Sequence, residues 1–271
     1  VRLAEGFYHY YAHRRFERAL EIFEQVVEEQ PNSSEALSAV GYIYRRQGKF
    51  EQAIEQLERA SALDPQNPDL LNAIAETYSA LRRFDDAIAA VDRTLGIAPD
   101  RAQLYILKSR QQTLATGTTE AARRTLERAP SNAPLLQNWI ELDWLDRDVD
   151  RALERIDSYQ VSNAFDEINL PIQRAFSLRM IGDHEVAREL LEGPLDALGE
   201  SREEPQILSA VAVLKAALGD RAGALADIDR AVAMTESDHY SGPGTLESKA
   251  VVLTLLGDVD RAVGILADLL E

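Results

Sequence analysis

His9 and His13 stand four residues apart, so on a helix they share one face and could ligate a metal together. No third ligand accompanies them, and Tyr10 stands where a zinc-protease helix would carry its glutamate. They read as surface histidines beside an aromatic cluster. His184 and His239 are the only other imidazoles. Asp143-Trp144-Leu145-Asp146-Arg147-Asp148-Val149-Asp150 alternates acids as a calcium loop does, but it lacks that loop's glycine and terminal glutamate. It reads as a helix end followed by a cap. Acid pairs such as Glu203-Glu204 are expected by chance in a chain with 46 acidic residues. Gly242-Pro243-Gly244 is too short to cradle a phosphate and marks the loop that starts the last helix pair. No catalytic constellation emerges, no cofactor or metal is implied, and the chain is not expected to be an enzyme by itself.

Composition narrows the partners. A net charge of -17 argues against nucleic acid and against anionic membrane surfaces, both of which need clustered Lys and Arg. The pairs Arg14-Arg15, Arg45-Arg46, Arg82-Arg83 and Arg123-Arg124 fall near helix C-termini or outer faces, with Glu17, Glu51, Asp85 and Asp86 close by to neutralise them. The only lysines are Lys49, Lys108, Lys215 and Lys249. An acidic, lysine-poor surface fits either a salt-rich cytoplasm or GC-rich codon usage. No apolar run approaches the ~20 residues of a membrane-spanning helix, so no membrane insertion of this segment is expected. With 271 residues and 45% hydrophobic content, a sizeable core is within reach. There is no Cys, which excludes disulfides and leaves the compartment open. Val1 in place of Met, leading straight into helix-like sequence, is read as the start of an excised piece of a longer protein. Cytoplasm is the default location; a periplasmic or other extracytoplasmic one stays open if a membrane segment lies upstream.

The elements that must position any site announce themselves by repetition. Tyr10, Tyr44 and Tyr78 are spaced by 34, as are Phe16, Phe50 and Phe84, Ala19, Ala53 and Ala87, and Pro31, Pro65 and Pro99. Phe23, Leu57 and Val91 keep the same step. The large rings are expected to fill the space between the two helices of one unit. The alanine permits close helix approach, and the proline ends the unit. Short turns such as Gln47-Gly48-Lys49 join the helices, and Asn32, Asp64 and Asn67 serve as turn and cap residues. Beyond residue 101 the pattern loosens: Gly117 precedes Ala122, Leu126 and Ala129, and Arg147 precedes Ala152 and Ile156. Gly182-Asp183, Gly219-Asp220 and Gly257-Asp258 precede Ala187, Ala224 and Ala262 by five residues. Eight helix pairs result, with longer connections near Gly199 to Pro205 and Ser237 to Gly244.

Residues 34–67, with Leu37, Val40, Gly41, Tyr44, Ala53, Leu57, Ala60 and Pro65 at fixed slots, resemble a tetratricopeptide repeat. Residues 1–33 and 68–101 match nearly as well. The resemblance implies an all-α fold, an α-solenoid wound as a right-handed superhelix. It would be one domain over 1–271, with three regular repeats over 1–101 and about five divergent pairs over 102–271. It also implies a protein-interaction scaffold whose first helices line a concave groove for a peptide or protein partner. On those helices Tyr8, Tyr11, Ser38, Tyr42, Arg45, Asn72, Glu76, Gln103 and Arg110 are placed toward the groove, followed by Gln137, Glu141, Trp144, Gln173, Phe176 and Arg179. Tyr10, Tyr44 and Tyr78 occupy a core slot instead. Chaperone-binding members of the family grip a C-terminal carboxylate with Lys and Asn one turn apart. The matching pairs here are Ala4 with Tyr8, Ser38 with Tyr42, and Asn72 with Glu76, so that ligand does not carry over. The opening and closing stretches also resemble the repeat tails of large bacterial signalling proteins, which implies a sensory or regulatory part. Self-association as a homodimer, and small-molecule sensing near Trp139, Trp144 and Phe165, are the alternatives.

Overall fold

The computed structural model describes residues 2–198 and 204–270. Among them it contains sixteen helices. In order they are α1 (Arg2–His13), α2 (Phe16–Glu29), α3 (Ser34–Arg46), α4 (Phe50–Leu63), α5 (Pro68–Ala80), α6 (Phe84–Ile97), α7 (Ala102–Thr116) and α8 (Glu120–Leu126). Then follow α9 (Leu136–Leu145), α10 (Val149–Ser158), α11 (Ala164–Met180), α12 (His184–Leu198), α13 (Pro205–Leu218), α14 (Arg221–Thr235), α15 (Gly242–Leu255) and α16 (Val259–Asp268). They form eight consecutive pairs, and within α1–α8 and within α9–α16 each helix packs on the next, the arrangement of an all-α helix-pair solenoid. The chain divides into two compact units, unit 1 over Val1–Leu135 and unit 2 over Leu136–Glu271. The connection expected over 199–205, and Glu203, lie largely outside the described residues.

The 34-residue step works through local chemistry. Ser33 caps α3 by accepting from the Ala36 amide at 3.2 Å, and Asn67 caps α5 from the Asp69 amide at 3.1 Å with Pro68 in the first turn. Pro31, Pro65 and Pro99 fall in the breaks after α2, α4 and α6. Ala19, Ala53 and Ala87 are fully buried, so their side chains set the distance between paired helices. The tyrosines do more than fill their own unit. Tyr10 packs edge-on against Phe16 of its own pair at 5.5 Å, but Tyr44 and Tyr78 reach back one pair. Their hydroxyls donate to Glu24 at 3.2 Å and Glu58 at 2.9 Å, on α2 and α4. Those bonds tie neighbouring pairs together. The alternating acids after α9 form the expected helix end and cap: Asp148 accepts from the Arg151 amide at 3.2 Å at the start of α10. Two prolines, Pro171 and Pro194, lie inside α11 and α12 rather than ending them.

The turn within each pair needs one left-handed residue. Gly48, Gly117, Gly182, Gly219 and Gly257 supply it in five pairs, while Arg14 (φ 49°), Arg82 (φ 58°) and Arg147 (φ 59°) adopt it in three. An L side chain in this region costs about 1–2 kcal/mol, partly offset by the larger entropy that glycine loses on folding. Arg82→Gly is therefore expected to stabilise the protein by about 0.5–1 kcal/mol. Urea unfolding checks this; a lower midpoint for the variant would show that the Arg82 side chain contributes more than the strain costs.

Candidate partner-binding face of the first helices

In unit 1 the first helices are α1, α3, α5 and α7. Tyr8 and Tyr11 lie one turn apart on α1 and are 58% and 71% exposed, unusual for tyrosines in a folded chain. On α3, Tyr42 is half-buried and Arg45 is buried. The Arg45 guanidinium lies 5.7 Å from the centre of the Tyr42 ring. It crosses to the next pair and donates to Glu76 on α5 at 2.9 Å, and the Asn72 amide donates to the other oxygen of Glu76 at 2.9 Å. Burial pushes the Tyr42 phenol up, opposed by Arg45 and reinforced by Tyr11, Asp69 and Tyr10. Tyr42 is thus a neutral hydroxyl at physiological pH. Tyr11, Tyr42, Arg45, Asn72 and Glu76 form one neighbourhood spanning three helix pairs.

The remaining expected site residues are placed as follows. Ser38 is buried, and its hydroxyl donates to the Glu35 carbonyl at 2.9 Å within its own helix. Gln103 and Arg110 are exposed on α7. In unit 2, Gln137 and Glu141 are exposed on α9 and bonded to each other at 3.0 Å. Trp144 is half-buried, its indole N–H donating to Ser177 of α11 at 2.9 Å. On α11, Gln173 is buried, Phe176 packs beside Ala175 and Leu191, and Arg179 donates to the Ala217 carbonyl of α13 at 3.0 Å. Trp139 stacks with Arg155 at 4.9 Å, while Phe165 is exposed and belongs to no such contact. Among the described residues there is no group of three or more metal-ligating side chains, and no helix is long and apolar enough to cross a membrane.

Two participants escaped the sequence reading. Arg101, at the start of α7, donates to Asp69 of α5 at 2.6 Å, which places an ion pair near Tyr42. Arg46 donates to the Tyr10 hydroxyl at 2.6 Å and lies over the Tyr10 and Phe16 rings, locking α3 onto the first pair. The signal was present as an acid–base spacing slightly under one repeat: Arg45 and Glu76 are 31 apart, Asp69 and Arg101 32.

The fold and this face define a helix-pair repeat protein of the scaffold class. The tetratricopeptide repeat family profile matches residues 6–68, and a second profile of the same family matches residues 44–110. Residues 6–110, within unit 1, are thus a tetratricopeptide-repeat region. Among solved structures it is similar to a tetratricopeptide repeat protein from Parabacteroides merdae, at 19% identity and TM-score 0.61, covering 93% of this chain and 97% of that one. It is also similar to a chain of the APC/C hetero-tetramer Cut9–Hcn1, at 17% identity and TM-score 0.50, covering 89% of this chain and 45% of that one. At these identities the likeness concerns the fold. No curated protein matches the sequence.

Proposed function

We propose that the first-helix face of unit 1 binds a segment of a protein partner, with Tyr8, Tyr11 and Tyr42 as anchors on a fixed polar floor of Arg45, Asn72 and Glu76. The observation that carries this reading is the pair of exposed tyrosines beside a partly buried, internally bonded polar network. Exposed tyrosines supply large contact area at low entropic cost, and a network already bonded needs no reorganisation on binding. Gln103 and Arg110 would extend this face along α7. Gln137 and Glu141, with the partly exposed Trp144, Phe176 and Arg179, would form a second recognition surface in unit 2, with Gln173 buried beneath it. Because the chain carries -17 net charge, a positively charged partner is favoured electrostatically. Acidic C-terminal tails are disfavoured, since Ala4, Ser38 and Asn72 stand where a clamp lysine would. We place the protein as a regulatory or recruiting part of a larger bacterial assembly, in keeping with partner-holding scaffolds of this fold.

The test is a cross-linked pull-down from the source cell. Wild-type bait is compared with the Tyr8→Ala/Tyr42→Ala/Arg45→Ala variant and with the milder Tyr8→Ala/Tyr11→Ala variant, whose residues are exposed and whose fold is therefore retained. Hot-spot truncations cost about 2 kcal/mol or more each, so capture should fall at least tenfold in both variants. A partner held equally by all three baits places recognition elsewhere. Micromolar binding of an acidic C-terminal peptide, read by fluorescence anisotropy, would refute the expected partner chemistry.

A further inference from the structure

The second helix of the fourth pair is cut short. α8 has seven residues, where α2, α4 and α6 have 14 each. Paired helices run antiparallel, so the missing half of α8 uncovers the start of α7. In the third pair the corresponding stretch is closed: Leu71 and Ile74 of α5 share a core with Ala87, Ala90 and Val91 of α6. One repeat on, their slots on α7 hold Tyr105 and Lys108; one repeat back, on α3, they hold Leu37 and Val40. The four aliphatic residues are between 1% and 6% exposed. The register does not slip along α7, since Leu104 is buried as Leu70 and Ala36 are, and Ser109 as Ala75 is. A lysine therefore stands where the two preceding repeats bury an aliphatic side chain.

A cleft of about 280 Å³ opens there, between the end of α6, the start of α7 and the end of α8. Lys108 and Arg128 supply its positive charge, and Asp92 its one negative charge. The Lys108 ammonium donates to Asp92, and its stem is mostly buried. Asp92 holds the slot of Glu24 and Glu58, which accept from Tyr44 and Tyr78 of the next pair. The tyrosine slot of α7 holds Gln112 instead, so Lys108 takes over that tie. The tie accounts for Lys108 and leaves Arg128 unexplained. The Arg128 guanidinium is exposed and has no partner among the described residues. Tyr105 and Thr125 are held by their hydroxyls, which donate to the Pro99 carbonyl at 2.9 Å and to Gln112 at 2.7 Å. Leu95, Gly96 and Pro99 form an apolar wall, and nothing lies within 4 Å of a would-be β-carbon on Gly96.

We propose that this cleft binds a small monocarboxylate with an apolar body. Arg128 and Lys108 hold the carboxylate, and Leu95, Gly96 and Pro99 seat the body. Charge selects the ligand class. Two cations and one acid leave a single positive charge, which one carboxylate balances. A phosphate monoester carries about -1.5 to -2 and would set its excess charge against Asp92. The unpaired guanidinium presents a planar fork that matches a carboxylate with two parallel hydrogen bonds. The volume lies at the lower end of small-molecule sites, which suits a compact metabolite rather than a peptide. The site is also separate from the partner-binding face. Tyr105 and Lys108 each stand two residues from Gln103 and Arg110, about 200° around α7, and so look away from them.

Titration of the full chain with para-fluorobenzoate, read by fluorine NMR, tests this. The expected result is saturable binding at one site with a Kd below about 1 mM. Para-fluorobenzamide, which keeps the shape without the charge, and para-fluorophenyl phosphate should each bind at least tenfold more weakly. Arg128→Gln should weaken the carboxylate at least tenfold with unchanged circular dichroism, because that side chain is exposed and holds nothing else. Lys108→Met, which returns an apolar residue to the slot, should do the same. Gly96→Leu keeps every charge and fills the cleft, and should abolish binding. Tyr8→Ala/Tyr11→Ala should bind the probe like wild type, which keeps this test separate from the partner-binding one. No saturation by about 10 mM probe, an amide or a phosphate that binds as tightly as the carboxylate, or binding undiminished in Arg128→Gln or Gly96→Leu would each overturn the proposal.

Discussion

Asp143→Ala is expected to lower the stability of unit 2 by about 3 kcal/mol, because it removes one member of a buried ion pair. The Asp143 carboxylate is fully buried. It accepts from Arg155 Nε at 2.6 Å and lies 3.7 Å from Arg151, so it fastens α9 to α10. Its neighbour Trp144 fastens α9 to α11 through Ser177, and the Arg155 guanidinium is sandwiched against Trp139. Removing the carboxylate leaves a mostly buried guanidinium without its 2.6 Å partner and frees its stacking on Trp139. Asp143→Asn keeps an acceptor but loses the charge, and should cost about half as much. The chain's two tryptophans both lie on α9, so their fluorescence reports this unit. A denaturation midpoint by tryptophan fluorescence that does not move in Asp143→Ala would show that the pair contributes nothing net, as some buried ion pairs do when replaced.

Gly41→Val is expected to cost unit 1 about 3 kcal/mol through overpacking and to remove partner binding with it. A β-carbon on Gly41 would stand 2.9 Å from Leu57 Cγ and 3.2 Å from the Ala53 carbonyl oxygen. Leu57 and Ala53 are fully buried, so neither can withdraw, and α3 must move away from α4. That shift displaces Tyr42, the next residue, and Arg45, one turn on. Gly41→Ala should cost less, since the single methyl is offset by alanine's better helix propensity, about 1 kcal/mol. Gly96→Ala is the matching control: nothing lies within 4 Å of its would-be β-carbon, and it should be neutral or stabilising. Circular dichroism melts of the three variants check the order; a Gly41→Val melt equal to wild type would mean that the helix pair adapts without cost.

Much of the fold was legible because the repeat encodes contacts between residues close in sequence. Ala53 and Gly41 work within one helix pair, and their small size in a fixed register states that two helices touch there. The prolines and turn glycines are equally local, since they act on their own backbone. Tyr44 was harder: its ring obeys the register, but its hydroxyl bonds to Glu24 of the pair before, and an exposed glutamate is one of many. The face was legible as a set of positions and not as an arrangement. Ser38 and Arg45 sit on the first helices with Tyr42, yet both are buried, because Ser38 turns back onto its own helix and Arg45 finds Glu76. Tyr8 and Tyr11 share the slots of Tyr42 and Arg45, yet they are far more exposed, a difference that the residue types and the register do not carry.

The sequence by itself determined the helix pairs, their spacing, their turns and the class of protein they make. Those depend on dihedral preference, side-chain size and burial within about one repeat, all of which a 34-residue period records. Only the tertiary structure decided which polar groups meet, as with Arg45 and Glu76 or Asp143 and Arg155, because partners about a repeat apart or across a turn are chosen among many chemically equal candidates. It also decided which apolar residues lack a cover. Leu266 and Leu57 hold the same slot, four residues after Ala262 and Ala53, and they differ in exposure because packing against a neighbouring helix, not the residue type, takes a side chain out of water.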